Sequence, residues 1–285
     1  MRTIKEIHRS EYAPIEDLVT YSPLPSRTVE QIDPFLFLNH HGPQHYKAHN
    51  NGLPFGPHPH RGMETVTFIL EGDTMHKDSS GHISIITKGG IQWMTAGKGI
   101  IHAEVSSDEF KEKGGLLEIL QLWINLPSKL KMTEPKYFGF QKEQIPSVNL
   151  DEGKVKVNVI SGYWDGRKGV MTPLTPVQLN TIEFHSRGKL RTKVPLEENI
   201  FLYIVRGKIR VNDKEAEALH LVEFNNDGEE IEIEALSESY IIFGHALPFN
   251  EPVVAHGPFV MNSMEEIQTA YNDFKEGKFG QWKHS

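Results

Sequence analysis

The chain of 285 residues contains no cysteine. This absence excludes disulfide bonds, a thiolate nucleophile, thiolate zinc sites and iron–sulfur clusters held by cysteine. Any metal bound by the protein must therefore take its ligands from histidine nitrogens and from oxygen atoms. Histidine is plentiful, since there are 15 in the chain and ten of them precede residue 103.

Long hydrophobic runs and an excess of positive charge are also missing. No stretch approaches the roughly 18 apolar residues of a membrane-spanning helix, and residues 1–9 lack the apolar core of a signal peptide. The formal net charge of −8 disfavours direct contact with nucleic acid. We therefore expect a cytoplasmic protein that contacts neither nucleic acid nor a membrane. We also expect a monomer, and leave a protein partner open.

The pattern that dominates the sequence is a series of short runs rich in Val, Ile, Phe, Tyr and Thr, separated by Gly, Pro, Asn and Asp. Such runs predict strands, and many short strands in succession predict β-sandwiches or barrels. The predicted strands cover residues 35–38, 64–70, 83–87, 119–125, 154–160, 200–205, 208–211, 231–235 and 240–243. The sequence therefore indicates an all-β protein.

The chain length suggests two domains, at about 150 residues per domain. Residues 126–147 are rich in Lys, Pro and Gln and are typical of a connection, so we place the boundary near residue 130. The predicted domains are residues 1–130 and 131–285. The second includes a helix predicted over residues 264–275, where apolar residues recur at i, i+3 and i+4.

A histidine pair stands in the segment that precedes the second predicted strand. Residues two apart in an extended chain project to the same side, so His58 and His60 project together, with Pro59 between them. Glu64 continues the same parity, and we expect it on the same face as the two imidazoles. A single His-x-His in a Pro-rich loop is more often solvated than bound to a metal.

A second pair, His102 and Glu104, repeats the same spacing. Together the two pairs offer three nitrogens and one carboxylate from two extended segments, and this combination favours a metal site. Without thiolates, such a set suits Fe(II), Mn(II), Ni(II), Cu(II) or Zn(II). An octahedral ion on these four ligands would keep two open positions for a substrate or O₂.

The two segments resemble the metal motifs of the cupin superfamily. The first cupin motif is Gly, five residues, His-x-His, three or four residues, Glu, six residues and Gly. Residues Gly52 to Glu64 fit it, although seven residues precede Gly72. The second motif begins Pro-x-Gly-x-x-His, and here Gly97 replaces the proline before His102.

These departures point to one family within the superfamily. The chain resembles the pirins, which are bicupins, and the matching strings run in the same order over nearly its whole length. They are His58-Pro-His-Arg-Gly-Met-Glu-Thr-Val, Gln92-Trp-Met-Thr-Ala-Gly, His102-Ala-Glu, Asn250-Glu-Pro-Val-Val and Gly257-Pro-Phe-Val-Met-Asn. The resemblance implies two jelly-roll-like cupin barrels, each a double-stranded β-helix, with a short C-terminal helix.

The resemblance also implies one Fe(II) ion in the N-terminal barrel, with other divalent transition metals as alternatives. The family ligands fall on His58, His60, His102 and Glu104, so Glu104 is favoured over Glu64 as the carboxylate ligand. Glu64 is then left beside a ligand imidazole or as a polar residue at the barrel rim. The histidines in residues 40–49 are most simply interpreted as solvated or loop-bonding. The role of His76 stays open between a polar residue of a hairpin and a residue beside a metal ligand.

The second half of the chain lacks the corresponding ligands. Aligning Gly207 with Gly72 places Lys193, Pro195 and Asn199 where the first motif has its two histidines and its glutamate. These side chains make no metal site. We therefore predict a degenerate second barrel without a metal.

Some pirins show quercetin 2,3-dioxygenase activity, so the resemblance implies a flavonol-like substrate and O₂. The flavonol ring would open with loss of carbon monoxide, and Glu104 would act as the catalytic base if its coordination is labile. The alternative is an iron-dependent regulatory protein of the transcriptional co-regulator type, acting through protein contacts. A third reading is another metal-dependent cupin enzyme, such as a zinc or manganese isomerase or hydrolase.

Overall fold

A computed structural model of the chain describes residues 1–283. Strands dominate it, with two α-helices in this part, α1 (Asp108–Lys113) and α2 (Met264–Lys275). The strands are β1 (Ile4–Arg9), β2 (Glu11–Tyr12), β3 (Thr20–Leu24), β4 (Phe35–Tyr46), β5 (Phe55–His60), β6 (Met63–Glu71), β7 (Asp73–Asp78), β8 (Ile83–Thr87), β9 (Ile91–Thr95), β10 (Ile100–Val105), β11 (Gly115–Asn125), β12 (Lys136–Phe140), β13 (Ser147–Leu150), β14 (Val155–Ser161), β15 (Tyr163–Trp164), β16 (Arg167–Lys168), β17 (Val177–Phe184), β18 (Lys189–Lys193), β19 (Asn199–Arg206), β20 (Lys208–Val211), β21 (Lys214–Glu217), β22 (His220–Phe224), β23 (Glu230–Ala235), β24 (Ser239–Ala246), β25 (Val254–His256) and β26 (Phe259–Met261).

The main sheets form two sets, each with one seven-stranded sheet and one four-stranded sheet. One set has a seven-stranded sheet in the order β12-β9-β6-β11-β4-β3-β2 and a four-stranded sheet in the order β5-β10-β7-β8. The other has a seven-stranded sheet, β1-β22-β19-β24-β17-β14-β13, and a four-stranded sheet, β18-β23-β20-β21. The predicted all-β class with a C-terminal helix is confirmed.

The chain divides into two compact units that each draw on several segments. The first unit comprises Tyr12–Tyr21, Leu36–Lys142 and the described residues from Phe249 onward, and it contains all the candidate ligands. The second unit comprises the remaining segments, Met1–Glu11, Ser22–Phe35 and Glu143–Pro248. No helix within residues 1–283 is long and apolar enough to cross a bilayer.

Helix α2 belongs to the first unit. Its buried residues Ile267 and Ala270 pack with Phe259 and Met261 of β26. Ser263 caps the helix, accepting a hydrogen bond from the backbone N–H of Glu266 in a capping box. The division at residue 130 assigns this helix to the second domain, and that division stays a prediction about the two barrels.

A sharp corner joins β5 to β6 and moves the chain from the four-stranded to the seven-stranded sheet. Gly62 forms it with φ +84°, a conformation that favours glycine. A Cβ atom at this position would lie 1.9 Å from the backbone oxygen of Val260, so no side chain fits. The alternation of side chains in β5 therefore does not continue into β6.

Strand β4 runs well beyond the predicted strand at residues 35–38. It carries His40 and His41, which are buried rather than solvated. His40 Nε2 lies 2.9 Å from Glu118 Oε1, and His41 Nδ1 lies 2.9 Å from Thr20 Oγ1. The loop interpretation is wrong for these two histidines, because neighbouring strands supply the polar partners that let imidazoles be buried.

The interior of the second unit is an apolar cluster contributed by both of its main sheets. Val157, Leu202, Ile204, Ile233 and Phe243 are typical members, each almost fully buried. Complete burial of such side chains stabilises a fold by about 1.5–3 kcal/mol each. Packed apolar side chains in this interior therefore stabilise the second unit.

Candidate metal centre

Two antiparallel neighbours, β5 and β10, bring three histidines together. His102 lies opposite His58, and His60 lies opposite Ile100. The ring centroids are 4.4 Å apart for His58 and His102, 4.8 Å for His58 and His60, and 5.0 Å for His60 and His102. One nitrogen from each imidazole lies within 4.8 Å of the others, so the three could hold a metal ion.

The hydrogen bonds of the imidazoles indicate which nitrogens face that ion. His58 Nδ1 lies 2.7 Å from the Gly56 carbonyl oxygen, and His60 Nδ1 lies 3.1 Å from that of Pro258. Each Nδ1–H therefore donates to a backbone oxygen, which leaves Nε2 as the acceptor.

Several of the buried nitrogens have no hydrogen-bond partner. They are Nε2 of His60 and both ring nitrogens of His102. A buried polar atom without a partner costs about 1–3 kcal/mol, and a bound cation would remove that cost for the nitrogens it coordinates. The residues present therefore fit a metal site.

The three imidazoles are in the protonation state that metal binding requires. Burial, reinforced by the neighbouring imidazoles, lowers the pKa of His60 to about 3 and that of His102 well below its usual value. Burial also lowers the pKa of His58. Neutral imidazole is the form that coordinates metals.

Glu104 stands two residues beyond His102 on β10 and is buried. Its carboxylate accepts a 2.6 Å hydrogen bond from Thr67 Oγ1 on Oε1, and a second from Gln121 Nε2 on Oε2. Burial raises the pKa of Glu104 to about 7, although both hydrogen bonds oppose the shift. The group of ligand atoms within 4.8 Å holds the three histidines and not Glu104, so its role as fourth ligand stays a prediction.

Glu64 lies on the opposite face of β6 from this centre. Thr67 points towards Glu104, and alternation along β6 turns Glu64 to the other side. There Glu64 Oε1 accepts a 2.6 Å hydrogen bond from Thr95 Oγ1, its cross-strand neighbour on β9. The expectation that Glu64 shares a face with His58 and His60 is wrong, because the Gly62 corner resets the parity.

His76 forms a buried pair with Asp78 beside the centre. His76 Nε2 lies 2.9 Å from Asp78 Oδ2, and the His76 ring lies 5.5 Å from that of His102. The same ring stacks on Tyr137 at 3.9 Å. Burial raises the pKa of Asp78, but hydrogen bonds from His76 and Ser80 outweigh it and hold the pKa below its usual value.

An aromatic wall stands next to the histidines, and none of the ligand motifs in the sequence includes it. Trp123 lies edge-on to His60 with ring centroids 5.2 Å apart, and it stacks on Phe37 at 4.5 Å. Trp123 Nε1 also donates a 3.2 Å hydrogen bond to Gln121 Oε1. The alternation of the predicted strand at residues 119–125, which places Gln121 and Trp123 on one face, is the signal that could have found them.

The positions aligned with the first motif in the second unit do not form a comparable group among the described residues. Lys193 is exposed at the end of β18, and the motif also falls on Pro195 and Asn199. His245, a histidine of the second unit outside these positions, contacts Glu198 through Nδ1. A second barrel without a metal stays a prediction.

Comparison with known proteins gives consistent matches along the chain. The Pirin family model matches residues 18–124, and the model of the Pirin C-terminal cupin domain matches residues 180–280. Pirin from Rattus norvegicus is 36% identical over 260 residues, which cover 88% of this chain and 84% of the rat protein.

Two solved structures extend the comparison. The crystal structure of a quercetin 2,3-dioxygenase from Acinetobacter baumannii has a TM-score of 0.92 at 35% identity, covering 99% of each chain. The bacterial pirin YhhW from Escherichia coli, in complex with nickel(II), has a TM-score of 0.68 at 20% identity, covering 85% of this chain and 99% of the other. The chain belongs to the pirin family and has its bicupin arrangement, as its motifs predict.

Proposed function

We propose that the protein is a mononuclear Fe(II) dioxygenase of the quercetin 2,3-dioxygenase type. The observation that carries the proposal is the convergence of three neutral imidazoles with unpartnered buried nitrogens, next to a buried carboxylate. The close similarity to the Acinetobacter baumannii quercetin 2,3-dioxygenase supports the reaction class. The nickel-bound Escherichia coli pirin supports a divalent transition metal, and we propose Fe(II) as the one used here.

His58, His60 and His102 would hold the ion, with Glu104 as a fourth and labile ligand. Such a metal supplies Lewis acidity, which lowers the pKa of a phenolic hydroxyl, together with open positions for O₂. The proposed reaction consumes one flavonol and one O₂, opens the oxygen-containing ring and releases carbon monoxide.

The residues of this chain have separate tasks in that reaction. A carboxylate oxygen of Glu104 accepts the proton of the flavonol 3-hydroxyl, so that the substrate binds as an anion. Trp123 and Phe37 offer an aromatic surface beside His60, against which the flat rings of a flavonol would pack.

Oxygen uptake by Fe(II)-loaded protein in the presence of quercetin tests the proposal. We expect O₂ consumption, loss of the flavonol absorbance and release of carbon monoxide, all abolished in His58→Ala. The control His245→Ala alters a histidine of the second unit and keeps the activity. Protein that binds Fe(II) but leaves O₂ and flavonols unconsumed would contradict the dioxygenase and favour the iron-dependent regulatory alternative.

A further inference from the structure

The carboxylate of Glu104 has a dedicated donor for each of its oxygens. Thr67 Oγ1 donates to Oε1 at 2.6 Å, and Gln121 Nε2 donates to Oε2. Thr67 and Gln121 are direct cross-strand partners on β6 and β11, so they stand side by side under the carboxylate. We call this pair the carboxylate clamp.

Trp123 fixes the orientation of the clamp. An indole N–H can only donate, so the Gln121 atom that accepts the hydrogen bond from Trp123 Nε1 must be the amide oxygen. The amide nitrogen of Gln121 is then the atom turned towards Glu104. The same Trp123 ring contacts His60, which ties the clamp to the histidine group.

We infer that Thr67 and Gln121 are positioning residues, which hold the Glu104 carboxylate in the orientation from which it reaches the metal. The inference rests on the proposed metal site and adds residues that no ligand motif contains. A carboxylate has about four acceptor positions, and the clamp occupies one on each oxygen. The remaining positions stay open for a metal or for a substrate proton, while rotation of the carboxylate is blocked.

A purely structural role for the clamp makes a different prediction. In that case its hydrogen bonds would only satisfy a buried carboxylate, as Thr95 does for Glu64 on the other face of β6. The two threonine–glutamate hydrogen bonds are equivalent, each 2.6 Å long and between buried side chains. Thr95→Val is therefore a matched control for Thr67→Val.

Nickel(II) affinity of the metal-free protein, measured by competition with a chelator, tests the inference. We expect Thr67→Val and Gln121→Leu each to weaken binding by about tenfold, the lower end of the usual cost of losing a residue that orients a metal ligand. Thr67→Ser keeps the hydroxyl and should bind like the native protein. Thr95→Val should also leave the affinity unchanged, although it loses an equivalent hydrogen bond.

The same substitutions in a Glu104→Ala background show whether the clamp acts through Glu104. We expect Thr67→Val and Gln121→Leu to have no further effect there. The inference is overturned if both clamp variants bind nickel as tightly as the native protein does. It is also overturned if Thr67→Val and Gln121→Leu still weaken nickel binding in the Glu104→Ala background. Native protein that binds no nickel would overturn the proposed metal site and this inference with it.

Discussion

At the scale of single residues, Lys131 shows how the structure around the centre is held in place. Its ammonium group is buried and donates to the Gly62 oxygen at 2.8 Å, to Asn125 Oδ1 at 2.7 Å and to the Val260 oxygen at 3.0 Å. Two of these acceptors are backbone oxygens at or beside the Gly62 corner. Lys131 therefore braces the turn from which β5 and its histidines extend.

Replacing Lys131 with Met should lower the free energy of unfolding by about 3 kcal/mol at pH 7, because three buried acceptors lose their donor. Chemical denaturation measures this loss. Lys129→Met removes an exposed ammonium two residues away and should change stability by less than about 0.5 kcal/mol. Equal stability of the two variants would contradict the bracing role.

The stability difference should also depend on pH. Burial lowers the pKa of Lys131 from 10.5 to about 8, so between these values the unfolded chain binds more protons than the folded one. Stability contributed by this group therefore rises as the pH increases from about 8 to about 10.5. The gap between the native protein and Lys131→Met should widen over this range, and a narrowing gap would contradict the buried position.

At this scale, the sequence predicts the residues whose shared face follows from their spacing along the chain. The i, i+2 pairs identify His58, His60 and His102, because a strand fixes the direction of each side chain. The same rule fails for Glu64, since it assumes one continuous strand across the Gly62 corner. The rule can place Gln121 on one face of its strand, but it cannot predict the contact with Glu104, which depends on the pairing of strands.

At the scale of elements, the corner between β5 and β6 separates the two proposed metal ligands on β5 from the buried, packed side chains of β6. Gly62 combines a positive φ with a backbone oxygen only 1.9 Å from the position of a Cβ atom. Gly81 also has a positive φ, but a Cβ there would meet nothing within 4 Å. Comparing the two glycines therefore separates backbone strain, which a side chain would meet at both positions, from steric exclusion, which applies at Gly62 alone.

Gly62→Ala should cost about 3 kcal/mol or more, because β26 must move away from the new methyl group. Gly81→Ala should cost about 1 kcal/mol, since only backbone strain applies. Thermal unfolding compares the two, and metal analysis should show that only Gly62→Ala loses metal. Equal costs in the two variants would contradict the tight corner.

The elements themselves could be predicted where the local pattern is strong. The predicted strands at residues 83–87 and 208–211 coincide with β8 and β20, and the helix at residues 264–275 coincides with α2. The local pattern predicts too short a strand for β4, because its buried histidines look polar until Glu118 and Thr20 are placed beside them. Pairing across strands supplies that information, and local composition does not.

At the scale of the whole molecule, the sequence indicates two similar β domains, and the structure has two similar sets of sheets. The assignment of segments to compact units follows long-range pairing instead. Strand β1 pairs with β22 and joins the second unit, whereas α2 packs on β26 in the first. The monomeric state and the cytoplasmic location stay predictions.

The two units also differ in chemistry. The first gathers three neutral histidines, a clamped carboxylate and an aromatic wall around one point. The second fills its interior with apolar side chains. We therefore predict one metal ion per chain, held in the first unit.

Metal content after loading with Fe(II) and removal of unbound ions tests whether the three histidines hold one ion. We expect about one ion per chain in the native protein and in His245→Ala, and almost none in His102→Ala. All three proteins should remain folded, as checked by circular dichroism. Native protein without metal, or His102→Ala with undiminished metal, would contradict the three-histidine centre.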